Sequence, residues 1–175
     1  MDDLNSQKGA SIIGDYRYLL WRNWDLSRPC LLWVMLNPST ADEAQDDQTL
    51  QRCISFSKRE AYGGLEVVNL FAYRTPYPRE LLELLRQGSG PDPIGGENMR
   101  YVEEAAHRAA QRTGKVVVAW GAMGRNAIVK PQVDAVLGLL REVTGIQLYC
   151  LGKTRTGCPN HPCRLPTDAC MVSYD

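Results

Sequence analysis

Two periods of apolar residues alternate along the chain. YRYLLWRNW (16–24) and CLLWVML (30–36) are short apolar-rich runs on either side of a polar, proline-containing turn. They are predicted to be strands, forming an antiparallel pair with the second one central and buried. The period then changes: Leu50, Cys53, Ile54 and Ser57 recur at helical spacing, predicting a helix over 47–60 that Gly63-Gly64 closes. LEVVNLF (65–71) reads as a second buried strand, and Pro78 suits the first turn of a short helix carrying Leu81, Leu82 and Leu85. GSGPDPIGG (88–96) reads as an irregular loop. Met99, Val102, Ala106 and Ala109 line one side of a helix over 97–112, and KVVVAWG (115–121) is the clearest strand. Pro131 opens a helix with Val133, Val136, Leu137 and Leu140 inward, and IQLYCLG (146–152) supplies the last strand.

Apolar strands alternating with amphipathic helices fit a sheet covered on both faces, because right-handed crossovers place helices there. The expected fold is a three-layer α/β/α sandwich with a mainly parallel central sheet and an N-terminal antiparallel strand. One domain is expected over all 175 residues, with 1–14 a flexible or loosely packed N-terminus.

Composition narrows the partners. Apolar residues make up 44% and charged residues 23%, and no apolar run approaches the ~20 residues of a membrane span. No membrane partner is expected. The polar start MDDLNSQKGAS lacks the basic and apolar blocks of a secretory signal, so cytoplasmic residence with reduced thiols is expected. Zero formal net charge argues against coating nucleic acid through bulk electrostatics. Local charge is uneven: ADEAQDD (41–47) holds four acids, while GKTRTGCPNHPCRLP (152–166) holds Lys153, Arg155 and Arg164 without an acid. Either run reads as a solvated face or as one side of a cleft. Cys158, His161, Cys163 and Cys170 cluster late, but C-x4-C-x6-C lacks the C-x2-C knuckle of structural zinc, and no metal or other cofactor is expected.

Ligands of α/β sheets bind outside the carboxyl ends of the strands. Four predicted strand ends carry polar residues, and together they bring Asn37, Ser39, Thr40, Asp42, Asn69, Arg74, Trp120, Lys153, Arg155 and His161 toward one edge. Asn-Pro-Ser-Thr (37–40) is also a natural turn and capping sequence. Asn69 is harder to treat as structural, since an amide in a buried strand must find partners. Trp120-Gly121 also reads as core followed by a turn. The loop residue His161 suits proton transfer or hydrogen-bond donation, with a purely structural role equally open. Neither a dinucleotide glycine motif, a P-loop nor a serine nucleophile elbow is present.

MLNPSTAD, DDQTLQRC, YGGLEVVNLFAYR, VVVAWGAMG and LGKTRTGCPNHPCRLP, in that order, resemble the hallmark blocks of an uncharacterised bacterial and phage domain family, over about residues 16–166. A more distant resemblance is to the uracil-DNA glycosylase superfamily: Asn37-Pro38 is similar to its first motif, His161-Pro162 to its late loop, and Asn69 to the amide that reads the base edge. That likeness implies a nucleobase-directed hydrolase of N-glycosidic bonds, acting on DNA in repair or modification. Asn37, Asp42 and His161 would be catalytic. Pro38, Ser39, Thr40, Asn69, Phe71, Arg74, Trp120, Gly121, Lys153 and Arg155 would bind substrate, with Phe71 or Trp120 covering the base. The first motif departs from the pattern in lacking a glycine-rich approach, and Cys163 stands where serine is common. A non-catalytic nucleic-acid-binding module, or an enzyme acting on free nucleotides or another small anion, are the competing readings.

Overall fold

The computed structural model describes residues 7–174. Its centre is a seven-stranded sheet. The strands are β1 (Lys8–Ile13), β2 (Tyr16–Asn23), β3 (Cys30–Met35), β4 (Gly64–Asn69), β5 (Lys115–Val118), β6 (Gln147–Cys150) and β7 (Val172–Ser173). The helices are α1 (Gln48–Arg59), α2 (Pro78–Gln87), α3 (Asn98–Arg112) and α4 (Lys130–Glu142). The spatial order is β1-β2-β4-β3-β5-β6-β7, with β3 at the centre.

The sheet is mixed, which corrects the expectation of a mainly parallel one. β4, β3, β5 and β6 run parallel, while β1 and β2 on one flank and β7 on the other are antiparallel to their neighbours. β2 and β3 do not pair. β4 lies between them, bonded in parallel to β3 and antiparallel to β2. The turn at 24–29 therefore spans a strand position, and Gly63 at the start of β4 fills it, accepting from the Trp24 and Asp25 N–H groups.

β1 is a second correction, since residues 8–13 were expected in a loosely packed terminus; residues 1–6 lie outside the described chain. Its inward positions are Gly9 and Ser11 rather than large apolar residues. A Cβ on Gly9 would sit 2.1 Å from a ring carbon of Trp21, so packing requires the small residue that hides the strand from hydrophobic patterning.

The central strands present alternate residues to two cores. Leu31, Trp33 and Met35, with Leu65 and Val67, face Leu50, Cys53 and Phe56 of α1. Leu32, Val34 and Val68 face Val102 and Ala106 of α3 and Val133 and Val136 of α4. The division follows from connectivity: β3 leads to β4 on one side, then the chain recrosses to β5 on the other, and right-handed crossovers in opposite directions lie on opposite faces. Helices therefore flank the sheet on both sides. Between the ends of β3 and β5 lies the switch point where open α/β sheets form a crevice.

Buried polar groups are mostly satisfied within this frame. Trp33 Nε1 donates to Ser57 Oγ at 3.0 Å, and Glu66 accepts from both Arg108 and Arg112. Among the described residues no helix is long and apolar enough to cross a membrane.

Candidate functional site

A cavity of about 650 Å³ occupies the crevice at the carboxyl ends of the parallel strands. It continues the α1-side face of the sheet: Asn37 follows Met35, Asn69 follows Val67, and Gly121 follows Ala119 at alternate positions. Leu20, Met35, Leu50 and Val67 give it an apolar wall, and the loop at 160–165 closes it from the side of α1. Its volume lies within the roughly 300–1,000 Å³ usual for small-molecule sites.

The loops are tied together by their own polar residues. Asn37 Nδ2 donates to the carbonyls of Pro38 at 3.0 Å and Thr75 at 2.8 Å, joining the segment after β3 to the one after β4. Asn37 is thus half structural, as a turn residue would be. Asp47 caps α1 by accepting from Leu50 N–H at 2.8 Å, and its other oxygen accepts from Ala41 N–H at 3.4 Å. Arg52 on α1 donates to the carbonyls of Pro162 and Leu165, fixing the His161 loop against the helix.

His161 lies half-buried beside Gly121, whose backbone is left-handed at φ 76° and whose added Cβ would meet His161 Cβ at 3.3 Å. Its Nδ1 accepts from Cys163 N–H at 3.4 Å, so the neutral ring carries its hydrogen on Nε2. Burial pushes the imidazole below its usual 6.5; the Asp47 carboxylate opposes this shift and Arg164 adds to it. At neutral pH His161 is an uncharged hydrogen-bond donor.

Asn69 and Arg17 stand apart. Asn69 is 1% exposed, it ends β4 within the cavity wall, and neither Nδ2 nor Oδ1 has a hydrogen-bond partner. Its carbonyl is held from behind by Asn98 Nδ2 at 3.0 Å, which sets the strand end firmly. Arg17 is 5% exposed, donates from Nη1 to the Ala41 carbonyl at 2.6 Å, and leaves Nε unpartnered. Desolvation lowers its guanidinium to about 10, against the pull of Asp47, and it stays charged at neutral pH.

Of the residues singled out from the sequence, Asn37, Ser39, Asn69, Trp120, Gly121 and His161 line this one cavity. The rest do not. Pro38 is buried behind the wall, with its carbonyl accepting from Thr75 N–H, and Thr40 faces solvent. Asp42 accepts from the Ala44 and Gln45 N–H groups at 2.8 Å as a turn residue, which holds its carboxylate below the usual aspartate range. Phe71 is packed into the core on the α3 side and cannot cover a ligand here. Arg74 is outside the wall, though its charge reaches Arg17. Lys153 and Arg155 are exposed beside the lining residue Thr154, with the Lys153 ammonium 5.2 Å from the Tyr174 ring centre.

Arg17, Asp47 and Arg164 are charged wall residues that the sequence did not mark as part of a site. Arg17 had one visible signal, a cation in a largely apolar strand, which Arg22 shares. Asp47 was recognisable as a helix start but not as a wall residue. Among the described residues no group of three or more His, Cys, Asp or Glu is placed to hold a metal ion, and all six cysteines are free thiols.

No curated protein and no solved structure gives a match to this chain. The family model described as a protein of unknown function (DUF1643) matches residues 17–163, a span that begins at Arg17 and takes in Asn37, Asn69, Trp120 and His161, and the chain belongs to that family.

Proposed function

We propose that the cavity receives a nucleobase and that the protein hydrolyses the N-glycosidic bond that carries it, the chemistry implied by the likeness to uracil-DNA glycosylases. The observation that supports this most is Asn69: a buried amide with both its donor and its acceptor unpaired in a cavity wall. Such a group is complementary to a flat ligand edge that presents one acceptor beside one donor, as every base does on its pairing edge. Leaving the pair unmade would be unfavourable by about 1–3 kcal/mol for each group, so a ligand that satisfies both is favoured over one that satisfies neither.

The remaining wall residues supply roles for the reaction. Asp47, rather than Asp42, is the carboxylate in place to orient a water toward the sugar carbon. The water oxygen bonds to that carbon as the bond to the ring nitrogen breaks. One water proton passes to Asp47 and from there to the departing base. His161, neutral and with hydrogen on Nε2, donates to the carbonyl oxygen on which charge develops. Asn37 holds the two loops that frame the water.

The test is base release. Purified protein is incubated with oligonucleotides carrying uracil, hypoxanthine or alkylated bases and with nucleosides and nucleotides, and free base is separated by chromatography. Release that Asn69→Ala abolishes and that Asp47→Ala and His161→Ala slow is the expected result. Binding of a base without release would remove the hydrolysis and leave a recognition module. Neither binding nor release of any base would remove the reading altogether.

A further inference from the structure

Two arginines on β2 are equally buried, at 5% exposure each, yet they are treated differently. Arg22 is saturated: its Nε pairs with Asp46 at 2.7 Å, and its remaining nitrogens reach the carbonyls of Trp21 at 2.8 Å and Asp42 at 2.6 Å. The Arg17 side chain makes a single hydrogen bond, to the Ala41 carbonyl, has an orphaned Nε, and takes part in no ion pair among the described residues. Buried charges are ordinarily paired, because a lone one loses its hydration without compensation. Arg22 is a structural charge. Arg17 is a charge still owed a partner, and it lines the cavity.

The wall as a whole has the same bias. Its charged side chains are Arg17, Arg164 and Asp47, and the Asp47 carboxylate already accepts from two backbone N–H groups. With His161 neutral, one positive charge is left over. A guanidinium presents a planar fork of donors matched to carboxylate and phosphate oxygens.

We propose that Arg17 is an anion subsite inside the cavity and that the ligand is a free nucleoside monophosphate whose phosphate it receives. The identity of the ligand as a nucleotide rests on the reading of Asn69 given above, whereas the anion subsite does not. A free nucleotide is favoured over a polymer because the two groups that would hold it, Arg17 and Asn69, are both deeply buried in the wall of one cavity. A phosphate within a strand has a nucleotide on either side and needs an open channel. The exposed cations that would follow such a strand, Lys153 and Arg155, lie off the wall.

Calorimetric titration of the whole protein with inorganic phosphate, the common nucleosides, their 5′-monophosphates and a uracil-containing oligonucleotide tests this. For at least one base the monophosphate is expected to bind tenfold or more tightly than the nucleoside. Arg17→Gln should erase that gap without changing nucleoside affinity, and Arg17→Lys should narrow it. Asn69→Ala should weaken nucleoside and monophosphate by the same factor and leave the gap intact. Equal binding of nucleoside and monophosphate by the unaltered protein would overturn the anion subsite while leaving the base reading in place, and needs no variant to fold. Phosphate binding that depends on Arg17, together with monophosphate affinity indifferent to Asn69→Ala, would remove the base and keep the subsite. An oligonucleotide that outcompetes every monophosphate would overturn the free nucleotide, and no binding of any probe would overturn the whole proposal.

Discussion

Asn69→Leu should make the protein more stable and unable to bind its ligand. The two side chains have the same number and branching of heavy atoms, and the site lies at the end of an otherwise apolar strand face after Leu65 and Val67, with the cavity beside it to take the extra bulk of leucine. Asn69 gives up hydration on two atoms and recovers a hydrogen bond on neither. Each such atom is unfavourable by about 1–3 kcal/mol, and leucine also removes a poor strand former from β4. Partial wetting from the cavity places the net gain at the lower end, about 2 kcal/mol, or roughly 4–8 °C in Tm for a chain of this size. Urea unfolding followed by tryptophan fluorescence should give a higher midpoint with an unchanged slope. Asn69→Asp, of the same shape, puts a second acceptor where the donor was and an unpaired charge in the wall, so it should destabilise. A loss of more than about 1 kcal/mol in Asn69→Leu, at unchanged slope, would mean that the amide holds the native structure together and is not kept for a ligand.

Further outcomes follow from the loops around it. Removing Arg52 as Arg52→Ala frees the carbonyls of Pro162 and Leu165; stability should fall by about 1–2 kcal/mol and base release should fall more steeply, because His161 loses its support. Burial holds the folded His161 below 6.5, so the unfolded chain binds the extra proton first. The stability that the neutral ring contributes is complete above about pH 6.5 and is lost as pH falls through the depressed folded value. Urea midpoints of the unaltered protein and His161→Gln should therefore run parallel above pH 6.5 and diverge below it, and an activity limb above pH 7 that disappears in His161→Gln would contradict this. Asp42→Ala should leave base release unchanged, and the stability it forfeits at neutral pH should vanish in acid, where the native carboxylate is protonated in any case. Ser57→Ala strands the buried Trp33 N–H and should lower stability by about 1–3 kcal/mol in a thermal melt.

Periodicity carried most of the architecture. α1 begins at the Asp47 cap and α3 ends at Arg112, close to where the apolar spacing begins and stops. What periodicity does not carry is which strand lies beside which. Adjacent strands with a short polar turn usually pair, yet β4 separates β2 from β3, a choice made by long-range packing that leaves no local mark. β1 and β7 escaped notice for a related reason: edge strands bury little, and β7 is two exposed residues. The site was legible where residue chemistry conflicted with its surroundings, as with Asn69 in a buried strand. It was not legible at Asp42 and Asp47, two acids in one run; the helix start turns one toward the cavity and the other into a turn. Phe71 was not legible because it lies two residues beyond the end of β4, where strand alternation no longer holds and the ring packs into the core on the α3 side.

The distribution of unsatisfied polar groups is itself an argument for the site. Elsewhere the fold pairs what it buries, with Glu66 held by two arginines, Arg22 by a carboxylate and carbonyls, and Trp33 by a serine. Among the described residues the buried side-chain atoms without partners are Ser11 Oγ, Arg17 Nε, both amide atoms of Asn69, and Asn98 Oδ1. Arg17 and Asn69 are in the cavity wall, and Asn98 is the residue that bonds the Asn69 carbonyl. Only Ser11, on the edge strand β1, is unconnected. Random imperfection would scatter such atoms over the core, whereas these gather where the strand order reverses and where α/β sheets hold their ligands. A chain that can satisfy a buried arginine with a carboxylate, and does so five residues further along the same strand, has left Arg17 and Asn69 open to something that is not part of the chain.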